Sequence, residues 1–176
     1  LQLDPKRPHI NEKIEQAKAM QNELRQLNQA TKQDRSGSPK IRMSFEDEMN
    51  QALEYQEAGQ SNEAEDIYRS ILKRDPNHVE AARLLARIAM DHERYQEAEI
   101  FLKHALKNAP DYARAWIDLV NAQKEQDKLD EATESAIELL KITPDSPESH
   151  MMYAGVIGSA GRHEKAIIAY KKAIEL

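Results

Sequence analysis

A period of 34 residues runs through most of this chain and limits the folds that are open to it. Alanine recurs at that spacing in one series and proline in another. The alanines are Ala64, Ala98, Ala132 and Ala166, and the prolines are Pro76, Pro110 and Pro144. Equal spacing in two series indicates an internal structural repeat, in which each unit packs mainly on its neighbours.

Each repeat has the pattern of two helices followed by a proline. The predicted units are 45–78, 79–112, 113–146 and 147–176, in an array over 44–176. Apolar residues recur at helical spacing, which is typical of a helix with one buried face. In the second unit they are Ala82, Leu85, Ala86 and Ala89, then Ala98, Phe101, Leu102 and Ala105. In the first they are Phe45, Met49, Ala52 and Tyr55, then Ala64, Ile67, Tyr68 and Ile71.

Turn chemistry marks where the helices begin and end. Ser44, with Asp47 three residues further on, has the pattern of an N-terminal cap. Gly59 separates the two apolar stripes of the first unit. The recurring prolines follow the second helices, because proline cannot continue a helix and biases its predecessor away from helical backbone. The sequence therefore predicts an all-α protein made of repeated helix pairs.

Composition excludes several classes of protein. The 176 residues include no cysteine, so disulfides, thiolate metal sites and a cysteine nucleophile are ruled out. No apolar run approaches the roughly 20 residues that span a bilayer, and we therefore expect no membrane segment and a cytoplasmic location. Net charge is -6, with +3 in residues 1–40 and -9 in the remainder. An acidic repeat region argues against nucleic-acid binding, which rests on neutralising phosphates.

A basic segment, 1–34, precedes the array and is predicted to be a separate amphipathic helix. Its apolar stripe, within 8–34, includes Ile10, Ile14, Leu24 and Leu27. Residues 35–43 contain a Ser-Gly-Ser-Pro run and are predicted to be a linker. The stripe is narrow, and the sequence leaves open whether it packs on the repeats, pairs with a second copy or caps a part of the protein outside these residues.

The repeats resemble the tetratricopeptide repeat (TPR) family, whose pattern is Trp, Leu, Gly and Tyr, then Ala and Phe, then Pro. The residues in phase are Trp116, Leu119, Ala132 and Pro144 in the third unit, and Tyr153, Gly161, Ala166 and Tyr170 in the fourth. The resemblance implies a right-handed α-solenoid of antiparallel helix pairs. It also implies that the first helix of each pair lines a concave groove that binds proteins or peptides, without catalysis of its own.

A narrower resemblance rests on 82–90, 110–120 and 146–176. These runs are similar to the TPR arm that precedes the catalytic domain in bacterial TPR-linked sulfotransferases. The fourth unit stops before its proline, and we expect the native chain to continue past Leu176.

The predicted groove carries the candidate binding residues. They are Met49, Leu53, Arg83, Arg87, Arg114, Ile117, Asn121 and Met151. Arg83 and Arg87 are four residues apart and lie on one helix face, and Arg114 could extend the row. Arginine suits bidentate capture of a carboxylate, so we hypothesise a groove for an acidic or C-terminal peptide segment. The alternative is that these arginines form a solvated face or pair with Glu80 and Asp118.

Chemistry of other kinds is not indicated. No two of the six histidines have the spacing of a helical metal pair, and no pairing of a nucleophile with a base can be identified in the sequence. We expect no cofactor, no metal and no enzymatic activity in this region. The predicted function is a protein–protein interaction scaffold. Two alternatives stay open: the non-catalytic arm of a larger enzyme, and a structural module that self-associates through the N-terminal helix or the open C-terminal end.

Overall fold

The computed structural model describes residues 18, 21–22 and 43–176. Within 43–176 the backbone forms eight helices and no strand, which confirms the all-α prediction. The helices are α1 (Phe45–Glu57), α2 (Ser61–Arg74), α3 (Val79–Asp91), α4 (Tyr95–Asn108), α5 (Ala113–Glu125), α6 (Leu129–Ile142), α7 (Pro147–Ser159) and α8 (His163–Glu175). The predicted N-terminal helix and nearly all of the predicted linker lie outside the described residues.

Side chains cap three of the four first helices. The Ser44 hydroxyl accepts from the backbone N–H of Asp47 at 3.1 Å, and Asp47 closes the capping box by accepting from the Ser44 backbone. The Nδ1 atom of His78 accepts from the N–H of Ala81 at 3.1 Å. Ser146 caps α7 in the same way, directly before a proline in its first turn. Each cap satisfies a backbone donor that the helix leaves unpaired.

The turn inside each repeat has a residue with left-handed backbone at the same position. Gly59, Glu93, Asp127 and Gly161 have φ angles of 74°, 59°, 57° and 76°. In each case the next residue donates its backbone N–H to a carbonyl five residues earlier, as Gln60 does to Tyr55 at 2.8 Å. This Schellman closure satisfies the last carbonyls of the first helix and reverses the chain within three residues.

A ring N–H group satisfies each of the recurring proline carbonyls. The indole nitrogen of Trp116 donates to the Pro110 carbonyl at 2.8 Å. His150 donates to Pro144 at 2.8 Å, and His104 donates to Pro76 at 2.7 Å. The prolines follow α2, α4 and α6, as predicted, so these bonds fix the segments that join one repeat to the next.

The core lies between consecutive helices along the whole array. Each helix packs on the next, and α3 also contacts α5 while α5 contacts α7. All eight apolar residues predicted inward in the second unit are buried. In the first unit four of the eight are buried and Met49, Tyr55 and Ile67 are half-buried. The Phe45 ring is exposed, between the Arg74 guanidinium at 4.7 Å and the edge of His78 at 5.7 Å. The first helices α3, α5 and α7 therefore touch one another directly and form the inner layer of the solenoid.

Candidate functional site

The eight predicted groove residues lie on α1, α3, α5 and α7, the first helices of the four repeats. Leu53 is 39% exposed and Met151 is 54% exposed, both large apolar side chains open to solvent. Arg87 and Arg114 are exposed, and Met49, Ile117 and Asn121 are half-buried. Arg83 differs from the rest because it is only 6% exposed. The predicted set therefore divides into an open part and one buried arginine.

Arg83 is held by two carboxylates. Its guanidinium donates to Glu80 through Nε at 3.1 Å and Nη2 at 2.8 Å, and to Asp118 on α5 through Nη1 at 3.0 Å. The Tyr112 ring lies 5.8 Å from the guanidinium carbon, and its hydroxyl donates to Glu80. The four side chains form a closed network that joins the second repeat to the third. Pairing with Glu80 and Asp118, the alternative left open by the sequence, is what the structure shows for Arg83.

Burial and hydrogen bonding shift the pKa values of Asp118 and Glu80 in opposite directions. Burial raises the pKa of Asp118 above its usual range, and the hydrogen bond from Arg83 only partly offsets this. Burial also acts to raise the pKa of Glu80, but the hydrogen bonds from Arg83 and Tyr112 outweigh it and lower the pKa. Burial acts to lower the pKa of Arg83, but its hydrogen bonds to Glu80 and Asp118 outweigh this and raise the pKa. Arg83 therefore stays charged, and its donors are used within the fold.

Arg87 and Arg114 flank this network and remain open to solvent. Neither has an ion-pair partner among the described residues. The charge of Arg87 acts on Asp118 and that of Arg114 acts on Glu80, lowering the pKa of each acid in part. Two accessible guanidinium groups thus lie close enough to this network for their charges to act on its acids.

A depression of about 420 Å³ lies at the edge of the inner face. It is lined by Val79 and Glu80 at the start of α3 and by Ala109, Asp111 and Tyr112 before α5. The sequence reasoning did not single out Tyr112 as part of this region. Its hydroxyl reaches an acid 32 residues earlier, and the repeat period alone does not reveal such a contact.

The described part of the chain contains neither a candidate metal site nor a candidate membrane-spanning helix. The residues over 43–176 contain no cluster of three or more His, Asp or Glu placed to hold a metal ion. Among the helices that the structure describes, none combines the length and apolar character of a membrane span.

Comparison with known proteins supports one family. Three tetratricopeptide-repeat family models match, at residues 49–116, 89–156 and 148–176. A crystal structure of MamA superposes with a TM-score of 0.70 at 19% identity, covering 99% of this chain and 95% of that one. A MamA structure from Desulfovibrio magneticus RS-1 gives a TM-score of 0.69 at 19% identity, covering 95% and 90%. At such identities the likeness concerns the fold alone.

Two curated relatives share part of the sequence. The protein O-mannosyl-transferase TMTC1 of Mus musculus is 33% identical over 122 residues, and that of Homo sapiens is 32% identical over the same length. Each alignment covers 67% of this chain but only 13% and 14% of the relatives, so the chain spans a small fraction of their length. The three family matches over 49–176 and the solenoid of helix pairs show that the chain belongs to the tetratricopeptide repeat family.

Proposed function

We propose that this chain is a protein–protein interaction scaffold whose inner face binds an extended acidic or C-terminal peptide segment. The observation that carries the proposal is the pair of solvent-exposed cations, Arg87 and Arg114, which have no ion-pair partner among the described residues. Leu53, Ile117 and Met151 supply apolar surface on the same face. A carboxylate-bearing peptide fits this combination, because guanidinium groups bind carboxylates and apolar side chains contribute buried area.

The buried Arg83 has a structural role rather than a direct role in ligand binding. Its donors are used by Glu80 and Asp118, so it does not contact the ligand directly. It fixes the side-by-side arrangement of α3 and α5, the two helices from which Arg87 and Arg114 project. The scaffold is therefore preorganised for binding, which reduces the ordering cost of association.

Charge reversal of the two open arginines tests the proposal. The probes are fluorescein-labelled peptides rich in Asp and Glu with a free C-terminal carboxylate, and a matched series with Asn, Gln and a C-terminal amide. We expect the acidic series to bind more tightly in fluorescence anisotropy. The variant Arg87→Glu/Arg114→Glu should weaken that binding at least about 100-fold, since two charge-assisted hydrogen-bonding groups are lost.

The matched control is Lys73→Glu/Lys107→Glu, which changes net charge equally on the exposed surfaces of α2 and α4. If the peptide binds in the groove, this control should weaken peptide binding only slightly, and the weakening should depend on salt concentration. Equal losses from both double variants would mean that only net charge matters, and equal binding of the acidic and amide series would contradict the proposed ligand chemistry.

A second candidate is the non-catalytic arm of a larger enzyme. The curated relatives favour it, because both are named as transferases and the matched segment is 13% or 14% of their length. Neither is a sulfotransferase, so the comparisons add nothing to that narrower prediction. An immunoblot of source cells with antibody against this region separates the two candidates. A band near 20.2 kDa supports a free scaffold, and a much larger band supports an arm.

A further inference from the structure

The depression at the edge of the inner face combines apolar walls with two carboxylates. Its volume is about 420 Å³, and its lining residues come from the start of α3 and from the segment that precedes α5. Val79, Ala109 and Tyr112 bring apolar atoms, whereas Glu80 and Asp111 bring carboxylates. None of the eight predicted groove residues lines it. A concave site of this size and mixed character can hold a long side chain of a bound partner.

Tyr112 is available to this depression because its side chain does not cap the helix that it precedes. The equivalent residues of the neighbouring repeats are His78 and Ser146, and each accepts a hydrogen bond from the first turn of the next helix. Tyr112 makes no such side-chain bond, and its hydroxyl donates to Glu80 instead. This bond places the Tyr112 side chain against the start of α3, so this wall of the depression depends on tyrosine at one joint of the array.

The two carboxylates keep acceptor capacity that the fold does not use. Asp111 is exposed, and its side chain has no hydrogen bond or ion pair among the residues of 43–176. Glu80 accepts two hydrogen bonds from Arg83 and one from Tyr112. An ionised carboxylate offers about four acceptor positions, and the Glu80 side chain is still 37% exposed. Both acids can therefore accept from a donor that enters the depression.

Other kinds of occupant fit this lining less well. An anion would be repelled by Asp111 and Glu80, while the Arg83 donors are already used within the fold. An apolar group would remove water from the Asp111 carboxylate without replacing its hydrogen bonds. A divalent cation needs more oxygen ligands than two acids supply, and the described residues form no group of three His, Asp or Glu that could hold one. A cation on an aliphatic stem suits both the walls and the acids.

We propose that the depression binds a lysine or arginine side chain of the partner. The aliphatic stem lies against the apolar walls, and the charged end donates to Asp111 and Glu80. The inference rests on the proposed function, in which Arg114 binds a carboxylate of the same ligand. The charge of Arg114 acts on Glu80, so its neutralisation by that carboxylate leaves the two acids free to attract a cation. The recognised segment therefore carries a basic residue beside its acidic ones.

A lysine analogue without acidic groups tests the depression by itself. The probe is N-acetyl-lysine methylamide, and its matched control is N-acetyl-norleucine methylamide, which keeps the stem but not the charge. In two-dimensional proton–nitrogen NMR of the 176-residue chain, we expect the lysine probe to shift the amide signals of Val79, Ala109 and Tyr112. It should bind about tenfold more tightly than the norleucine probe, because only the ammonium group forms charge-assisted hydrogen bonds.

Asp111→Asn tests the role of the acid, and the repeat supplies its matched control. Asp145 is the equivalent residue one repeat later, and it is also exposed but does not line the depression. Asp111→Asn should reduce binding of the lysine probe to about the norleucine level. Asp145→Asn makes the same change in net charge and should leave that binding within about twofold. Tyr112→Ser should weaken both probes, because it removes an apolar wall, and serine suits this position since Ser146 caps α7 from it.

The acidic peptides proposed for the groove test whether the two sites act on one ligand. A single lysine is placed at successive positions of the acidic probe, with norleucine at the same positions as the control. Lysine should improve binding about tenfold over norleucine at one or two neighbouring positions only, because the depression and Arg114 are held in a fixed arrangement. Asp111→Asn should remove that preference while the acidic series still binds more tightly than the amide series.

Three results would overturn the inference. They are equal binding of the lysine and norleucine probes, NMR shifts that leave out the lining residues, and equal effects of Asp111→Asn and Asp145→Asn. Acidic peptides that bind without any preference for lysine would exclude the depression as a site and leave the groove proposal standing. Binding of the lysine probe at the depression, without binding of any acidic peptide, would contradict the proposed function alone. Circular dichroism of each variant should show unchanged helix content.

Discussion

Two arginines one turn apart on α3 have different environments and different roles. Arg83 is 6% exposed and bound by Glu80 and Asp118, whereas Arg87 is open to solvent. A buried ion pair contributes modestly as a unit but is costly to break, because the remaining charge is left without a partner. Arg83 therefore acts on the stability of the fold, whereas Arg87 is the residue that we propose binds a ligand.

Replacing Arg83 with Met should lower the free energy of unfolding by about 2–4 kcal/mol, since Asp118 stays buried without its cation. The matched change Arg87→Met should alter it by less than about 0.5 kcal/mol. Urea unfolding followed by circular dichroism measures both. The pair Arg83→Met/Asp118→Asn should recover part of the loss, and a loss from Arg83→Met no greater than that from Arg87→Met would show that the network contributes little.

The four-residue spacing of these arginines predicts that they share one side of α3. It could not determine that Arg83 is buried, because the partner Asp118 lies 35 residues further along the chain. That contact depends on the lateral offset between neighbouring first helices, which is a property of packing rather than of local sequence. The helix that carries each candidate residue was therefore predictable, and the burial of Arg83 was not.

At the scale of the helix pair, all four turns use the same left-handed position, but only two of them place glycine there. Glu93 and Asp127 adopt φ angles of 59° and 57°, a conformation that costs a residue with a Cβ atom about 1–2 kcal/mol. Asp tolerates this region better than Glu, because its short side chain hydrogen-bonds locally. The second repeat therefore contains the more strained turn.

The variant Glu93→Gly should raise the free energy of unfolding by about 0.5–1 kcal/mol, because relief of strain exceeds the added entropy of the unfolded chain. Asp127→Gly should give a smaller gain, and Gly59→Ala should cost about 1 kcal/mol. Thermal unfolding by differential scanning calorimetry measures all three. A loss of stability in Glu93→Gly would indicate that the Glu93 side chain makes a stabilising contribution larger than the strain.

Sequence signals at this scale were strong at the helix ends and weaker inside the turns. The capping box at Ser44 and the stops before Pro76, Pro110 and Pro144 were confirmed, since each follows from local backbone chemistry. Gly59 was also predicted to separate two helices. Glu93 could not be identified as a left-handed residue from its own identity, and only its alignment with Gly59 and Gly161 across the period points to that conformation.

Over residues 43–176, ion pairs join a second helix to the start of the second helix in the following repeat. Glu65 pairs with Arg94 at 2.7 Å, and Arg69 pairs with Glu97 at 2.8 Å. One repeat further, Glu99 binds Lys103 at 2.7 Å and Lys128 at 2.6 Å, and it is only 6% exposed. The outer surface therefore contributes to the association of repeats together with the apolar core.

Glu99 should make the stability of the array sensitive to acid. Burial acts to raise its pKa, but hydrogen bonds from Lys103, Lys128 and Gln126 outweigh this and lower the pKa from 4.5 to about 2. The ionised form is thus favoured by folding. Its contribution of about 3 kcal/mol is complete above pH 4.5 and is lost as the pH falls toward 2.

Urea unfolding at a series of pH values checks this expectation. Glu99→Gln should lower stability at pH 7 and lose less on acidification below pH 4.5 than the parent chain does. Glu138→Gln, which removes the exposed pair with Lys141, should follow the parent profile. Identical acid profiles for Glu99→Gln and the parent would mean that Glu99 has no special role.

The overall fold was the most predictable level, because a period of 34 residues specifies both the unit and its stacking. Eight helices, their order and the inner layer of first helices all follow from that one repeat. Exposure is less predictable than the fold, because it depends on which residues lie next to a side chain in three dimensions. Tyr170 and Ile174 are exposed, although the equivalent residues of earlier repeats, such as Tyr68 and Leu72, are buried.

The bond between the Trp116 indole and the Pro110 carbonyl gives this protein an optical probe of its own. The chain has a single tryptophan, so its fluorescence has one origin, at the joint between the second and third repeats. Far-ultraviolet circular dichroism instead averages over every helix. Divergence between the two signals during unfolding would show that this joint opens separately from the other units, whereas coincident curves would show that the solenoid melts as one cooperative body.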